Sequence, residues 1–364
     1  MNKILYTCIF ILIITLPILN TILSEGKSVN IENRVQNNIP SLTLIRNGKI
    51  GEYMRLMQDY FVDVYKWKDD LIYINSLLDY RVFNISSKDS VAIGKDGWLF
   101  YTAEDGVNMR DYYGNNLFSQ ADLDKIAKNI ESINKNLKKQ NIEFIIMMAP
   151  NKHTLYEEYL PDRIYNKKGN ETRADQYSEI LNSMDVKYID LRDMLIKEKN
   201  NSDNLLYYPL DSHWNDFAGR LAYNELIKNL DIKPEHKSRL PEVIIGERNR
   251  TGDLGNILFL SQIIKDVNMS AETQNNYTKS EINNKNINQI KTTNPDGDTR
   301  KVLVFKDSFI GAIEPFLSST FSEVIYNSSP IVDFDLISKY NPDIVVLQFV
   351  ERYSNILLQN GNKF

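Results

Sequence analysis

Residues 301–309 read KVLVFKDSF. Val302 to Phe305 is an unbroken apolar run, and the polar triplet Lys306-Asp307-Ser308 ends it. A continuous apolar run of this length suits a strand buried on both faces, as in a parallel sheet covered by helices. Four more runs share the pattern: Phe144 to Met148, followed closely by Pro150; Val186 to Leu191; Val324 to Tyr326; and Ile344 to Phe349. Helical segments separate several of them. Ala174 to Met184 lies between the first two of these, Asp216 to Leu230 comes later, and Phe309 to Thr320 follows Phe305. Strands alternating with helices predict an α/β fold with an open, doubly wound, mainly parallel sheet flanked by helices. Ligand sites in such sheets collect at the carboxyl ends of the strands. Ser308 would stand just past such an end.

Outward from this core the chain changes character. Ser119 to Lys139 predicts a helix, with Leu123, Ile126, Ile130, Ile133 and Leu137 on one face and an S-x-x-D start at Ser119 and Asp122. Gly51 to Leu78 mixes aromatic and aliphatic residues at helical spacing and predicts one or two helices. Glu25 to Asn47 is polar and reads as a tether. Residues 266–300 are rich in Asn, Thr, Lys and Ser and read as a polar excursion or mobile insert. Ile4 to Leu23, ILYTCIFILIITLPILNTIL, is almost wholly apolar behind Lys3. About 20 such residues are needed to cross a bilayer. The exit at Thr21 to Glu25 is a poor cleavage site, which favours an uncleaved transmembrane anchor over a removed signal peptide. The expected division is an anchor over 1–24, a tether and helical stalk over 25–80, and a catalytic domain over 81–358. The expected location is the cell membrane, single-pass, with that domain extracytoplasmic.

Composition narrows the function classes. Of 364 residues, 42% are hydrophobic and 25% charged, which excludes a disordered or fibrous chain. The formal charge of −5 shows no basic excess, so no nucleic-acid partner is expected. The one cysteine, Cys8, lies inside the apolar N-terminal run. Disulfides, cysteine-ligated zinc and a cysteine nucleophile are therefore excluded downstream. Histidine chemistry must use His153, His213 or His236.

Two segments could carry that chemistry. A serine between a strand and a helix exposes its hydroxyl beside free backbone N–H groups. Ser308 fits this position, although Asp307 or Ser308 could equally cap the helix. The second segment is LYYPLDSHWNDFAGRLAYNELI, in which Asp211 and His213 stand two apart. That spacing in extended chain puts both side chains on one side. A carboxylate on one ring nitrogen fixes the tautomer and leaves the other nitrogen as base. Here too a helix cap beside a partly buried histidine is the simpler alternative. A strand-end serine needs a base to become nucleophilic, and His213 alone among the three histidines has a nearby acid in structured context. His153 could approach the same strand end, and His236 sits in the polar run PEHKSR. No second histidine stands at ligand spacing, so no metal and no cofactor is expected. Trp98 in GKDGWLF reads as structural.

Taken together, the sequence resembles the SGNH-hydrolase-like domain of the alginate O-acetyltransferase proteins, the AlgX/AlgJ type, including the related DHHW proteins. The segments that carry the likeness are VAIGKDGWLFY (91–101), MMAPNKHTLYEEYLP (147–161), YPLDSHWNDFAG (208–219), TGDLGNIL (251–258), VLVFKDSF (302–309) and VVLQFVERY (345–353), in the family's order. The resemblance implies a triad of Asp211, His213 and Ser308. It implies acetyl transfer to sugar hydroxyls of an exopolysaccharide or cell-wall polymer, beside a polytopic membrane O-acyltransferase that delivers the acetyl group. Lys152, Tyr156 and Arg352, placed at strand ends by the sheet, and Tyr208 and Trp214, flanking the Asp-His pair, are candidates for binding substrate. Lys306 stands where a glycine often precedes Asp-Ser, and the usual Gly and Asn oxyanion blocks are not recognisable. A carbohydrate acetyl esterase and a silent polysaccharide-binding subunit of an envelope assembly complex are the alternatives.

Overall fold

The computed structural model describes residues 2–23, 37–64, 67–103, 107–230, 232, 243–271, 277–284 and 287–360. His236, much of the tether and part of the polar 266–300 stretch lie outside the described residues. The chain divides into two compact units: residues 1–87 with 258–260, and residues 88–257 with 261–364. The first is helical. Asn2–Leu23 is one helix, and Ile50–Val64 and Lys68–Leu78 are two helices where one or two were expected over 51–78. Asp63 accepts both the backbone N–H and the side-chain amide of Asn37 at 2.8 Å, which fixes the residues ahead of that pair. Among the described residues no helix is long and apolar enough to cross a membrane.

Among its described residues the second unit has eleven strands. β1 (Val91–Ile93) and β2 (Leu99–Tyr101) form a hairpin, and β5 (Val243–Ile245) and β6 (Met269–Ala271) form a separate two-stranded antiparallel sheet. The main sheet is built from β3 (Glu143–Ala149), β4 (Lys187–Asp190), β7 (Thr278–Asn284), β8 (Ile287–Thr293), β9 (Asp298–Phe305), β10 (Phe321–Asn327) and β11 (Ile344–Val350). Its order is β4-β3-β11-β9-β10-β8-β7. The first five strands in that order are parallel, and the β7–β8 hairpin joins them antiparallel. The five apolar runs are thus the five parallel strands.

The register explains why those runs are continuous. Phe144 pairs with Val345, Val345 with Leu303, and Leu303 with Ile325, and all four face one core. Ile145, Val346, Val304 and Tyr326 form the next row and face the other core. With helices on both faces, every position of such a strand must be apolar. The Gln120–Lys139 helix covers one face through Ile126, Ile130, Ile133 and Leu137. It starts with a capping box: the Ser119 hydroxyl accepts the Asp122 N–H, and the Asp122 carboxylate accepts the Ser119 N–H at 3.1 Å.

The polar stretch was expected as an excursion, yet it supplies β6, β7 and β8 and widens the sheet. β8 is hydrogen-bonded on both sides and buries Gln289 and Thr292, whereas β7 is the sheet's outer strand, with Lys279 and Ser280 turned to solvent. Polar residues suit such an edge, which needs only one apolar or hydrogen-bonded face.

Topology sets the site's address. After β9 the chain adds β10 on one side, then returns across β9 to lay β11 on the other. The carboxyl ends of β9 and β11 lie at this reversal, where open α/β sheets leave a crevice. The Asp216–Lys228 helix closes against the Ser308–Ala312 turn at Gly219. A Cβ at Gly219 would collide with the carbonyl oxygen and Cβ of Ala312, whereas one at Gly311 would meet nothing within 4 Å. Overpacking of this kind costs about 1–3 kcal/mol. Gly219→Ala should therefore lower the melting temperature by roughly 2–4 °C per kcal/mol lost, while Gly311→Ala leaves it unchanged, as read by calorimetry.

Candidate active site

The loop ahead of the Asp216–Lys228 helix is pinched by an isolated bridge between Tyr207 and Trp214, which puts Asp211, Ser212 and His213 at its tip. Asn215 caps the helix, its side-chain oxygen accepting the N–H groups of Phe217 at 3.0 Å and Ala218 at 3.2 Å. The Trp214 indole N–H donates to the Phe309 carbonyl at 2.8 Å. The His213 ring lies 5.1 Å from the Phe309 ring. One buried aromatic therefore seats the histidine beside the serine that precedes it.

The serine is placed by its own neighbours. Asp307 accepts the Phe309 N–H at 2.8 Å, capping the short turn, and its other oxygen accepts the Val350 N–H at 2.5 Å. It thereby ties the end of β9 to the end of β11, and the capping role belongs to Asp307. Ser308 is left exposed.

The three side chains form a continuous chain of hydrogen bonds. Ser308 Oγ and His213 Nε2 are 2.8 Å apart, and His213 Nδ1 and Asp211 Oδ1 are 2.7 Å apart. Asp211 is buried and accepts further donors: the His213 N–H at 2.9 Å, Arg250 Nη1 at 2.9 Å and the Asp253 N–H at 3.2 Å. Burial alone would raise the Asp211 carboxyl, but the His213 hydrogen bonds and charge, with Arg250, hold it well below the usual range. Burial alone would lower His213, but the carboxylates of Asp211 and Asp253 outweigh it and lift the imidazolium to about 9.

A second carboxylate stands on the same nitrogen. Asp253 Oδ2 lies 3.4 Å from His213 Nδ1, and it accepts the Ser212 hydroxyl at 2.5 Å. Asp211, His213 and Asp253 bring three potential donor atoms within 4.8 Å of one another. Asp211 Oδ1 and His213 Nδ1 are engaged with each other at 2.7 Å.

Four of the five residues expected to meet substrate do something else. Lys152 is buried and donates to the carbonyls of Leu99 at 2.7 Å, Pro209 at 2.7 Å and Asp211 at 3.0 Å. Its ammonium also lies over the rings of Trp98 and Phe100. Burial pushes it down to about 7, while Asp266, Asp211 and Asp253 pull it back up. Three carbonyl acceptors need all three ammonium protons. Tyr156 is buried, and its hydroxyl accepts the Leu206 N–H at 2.9 Å. Tyr208 is buried, donates to the Met269 carbonyl at 2.8 Å and lies under Arg250. Trp214 is buried against Phe309. None of these rings offers a face to a sugar.

Arg352, the fifth, is half-exposed beside the site. It lies over Phe309 at 5.1 Å, Tyr101 at 5.4 Å and Tyr353 at 5.3 Å. His153 is buried edge-on to Tyr112 and stays neutral, pushed down to about 3 by burial and by Arg352. Trp98 is buried and stacks on Tyr159 at 4.4 Å, as a structural residue should.

Arg250, Asp253 and Ser212 are site residues that the motifs had not singled out. TGDLGNIL contains Asp253, and Gly252 there explains the segment's glycine: a Cβ at that position would strike the Leu210 carbonyl. Lys152→Met should take the ammonium from the buried Leu99 and Asp211 carbonyls, at about 1–3 kcal/mol each, while the Pro209 carbonyl keeps the Leu99 N–H at 2.9 Å. The urea midpoint should fall with an unchanged slope.

Comparison with known proteins matches this unit. The family described as SGNH hydrolase-like domain, acetyltransferase AlgX, covers residues 91–330. "Probable alginate O-acetylase AlgJ" of Pseudomonas fluorescens is 24% identical over 196 residues, 52% of this chain and 46% of that protein. The chain thus matches about half of that relative's length. PatB1 of Bacillus cereus, solved with a sulfonyl adduct, is 16% identical with a TM-score of 0.51, covering 74% of this chain and 99% of that one. A DHHW family protein from Eubacterium siraeum is 16% identical with a TM-score of 0.50, covering 73% of this chain and 93% of that one. Those two share the fold. The family match spans more than half of the chain and takes in β1 through β10 with the Asp-His loop and the serine turn, and the chain belongs to the AlgX/AlgJ-type family of SGNH-hydrolase-like proteins.

Proposed function

We propose that the chain is an extracytoplasmic O-acetyltransferase that moves an acetyl group through an acyl-serine to hydroxyls of an exopolysaccharide or cell-wall polymer. The unbroken hydrogen-bond chain from Ser308 through His213 to Asp211 carries this reading. His213 Nε2 takes the Ser308 proton as Oγ attacks the donor's carbonyl carbon. The carbonyl π electrons move onto oxygen, and the donor's leaving group departs with that proton. A sugar hydroxyl then gives its proton to His213 as its oxygen attacks the acetyl carbon, and His213 passes that proton to Ser308 Oγ as the acyl-serine bond breaks. Asp211 holds the imidazole in the tautomer that leaves Nε2 free, and it stabilises the imidazolium.

The oxyanion is formed beside the Ser308 backbone N–H. Two buried side-chain donors at neighbouring strand ends, Asn151 Nδ2 and Arg352 Nε, have no hydrogen-bond partner in the structure. Each donor aimed at an oxyanion is typically worth about 2.7–4 kcal/mol. The family assignment and the AlgJ likeness support a polysaccharide acceptor. The apolar run Ile4 to Leu23 in the sequence is what supports a membrane anchor, for a protein proposed to work with a polytopic O-acyltransferase donor.

Full-length protein incubated with an activated acetyl ester and oligosaccharide acceptors should yield acetylated sugar, followed by mass, and Ser308→Ala should reduce it by 10³-fold or more. Free acetate unaffected by any acceptor would instead identify an esterase, and equal activity in the alanine variant would remove Ser308 from the mechanism. A base must be unprotonated in the free enzyme. With His213 lifted to about 9, kcat/KM should climb with pH up to that value and then level. A profile already level from pH 6 would contradict the assigned environment of His213.

A further inference from the structure

We propose that Asp253 is a second orienting carboxylate of this site, a positioning residue that shares the His213 imidazolium with Asp211 and is locked in place by Ser212. The inference rests on the triad reading above and extends it by one residue. Asp253 opens a helix of five residues, yet neither of its oxygens serves that helix through a recorded bond. Both reach back 41 residues in sequence: Oδ1 accepts the Ser212 N–H at 2.6 Å and Oδ2 accepts the Ser212 hydroxyl at 2.5 Å. This pair of bonds holds Oδ2 at 3.4 Å from His213 Nδ1, on the nitrogen that Asp211 already occupies. The Asp253 N–H donates in turn to Asp211 Oδ2, so the two carboxylates are joined by backbone as well as through the ring.

Charge balance gives the arrangement a purpose. Arg250 binds Asp211 Oδ2 at 2.9 Å and offsets one of the two negative charges. With a neutral imidazole the group Asp211, Asp253, Arg250 and His213 carries one net negative charge. With an imidazolium it carries none. The cluster is therefore balanced whenever His213 is an imidazolium, both in the free enzyme below the His213 midpoint and in the oxyanion state. Above that midpoint the free enzyme holds a neutral imidazole, balance is reached only as Nε2 takes the Ser308 proton, and stabilisation confined to that state speeds the chemical step.

Other charged groups nearby are committed elsewhere. Lys152 meets the Asp211 carbonyl, Asp266 accepts the Leu210 N–H, and Asp307 turns into the sheet toward Val350. Arg352 lies over Phe309, and Tyr208 lies under Arg250.

The test uses full-length protein carrying ¹⁵N-histidine. With three histidines in the chain, His213 is assigned by loss of its resonances in His213→Gln. Asp253→Asn should lower the His213 titration midpoint by one unit or more, a tenfold fall in proton affinity. The rising limb of kcat/KM should move down the pH scale by the same amount. Its plateau should fall, with KM unchanged. Ser212→Ala, which frees Asp253 without removing it, should shift the midpoint in the same direction by less, and it serves if the asparagine variant does not fold. An unmoved midpoint in the folded variants would overturn the assignment. The titration needs no substrate. A shifted midpoint in a protein that transfers no acetyl group would uphold Asp253 and sink the transferase reading alone.

Discussion

The Trp214 indole N–H meets the Phe309 carbonyl at 2.8 Å, and it joins two segments 95 residues apart in the chain. One segment ends a tight loop that displays Asp211 and His213, and the other begins the turn that displays Ser308. Without this bond and the packing of Phe309 beneath both rings, each segment would still be a capped helix start. Neither would be a site. The capping duties belong to Asn215 and Asp307, which leaves His213 and Ser308 free to face each other. Asp307 also bonds to Val350, so the serine turn is fixed to the neighbouring strand as well as to its own.

Beneath the loop, Lys152 performs the complementary task. Its ammonium collects the carbonyls of Leu99, Pro209 and Asp211, of which Pro209 also accepts the Leu99 N–H. A buried charge is tolerated where every proton has an acceptor. Arg250 does the same for the Asp211 carboxylate from the other side. The acidic pair and the two basic residues form one network around the imidazole.

The five parallel strands were legible because burial on both faces forces continuous apolar runs, and Val302 to Phe305 is the clearest of them. The β7–β8 hairpin was not, because an outer strand such as β7, with Lys279 and Ser280 facing solvent, carries no such demand. Asp211, His213 and Ser308, which the structure brings into one hydrogen-bonded chain, could be picked out because each sits beside a helix start whose position the sequence marks. Asp253 and Arg250 could not, since their partners lie about 40 residues away and no periodicity links them. Tyr156, Tyr208 and Trp214 are buried and bonded within the protein, which their positions in the sequence do not show. An aromatic residue near a site is compatible with either face of its backbone, and the hydroxyl or indole partner that settles the matter comes from a distant segment.

The central claim is that the Ser308 hydroxyl carries the acetyl group between donor and acceptor. It is tested most directly by exposing the full-length protein to an activated acetyl ester without acceptor, quenching with acid, and mapping the acetylated peptide by mass spectrometry. An acetyl group on Ser308 that disappears when an acceptor sugar is added is the predicted result. Turnover with no acetyl group on Ser308, or with the group on another residue, would contradict it.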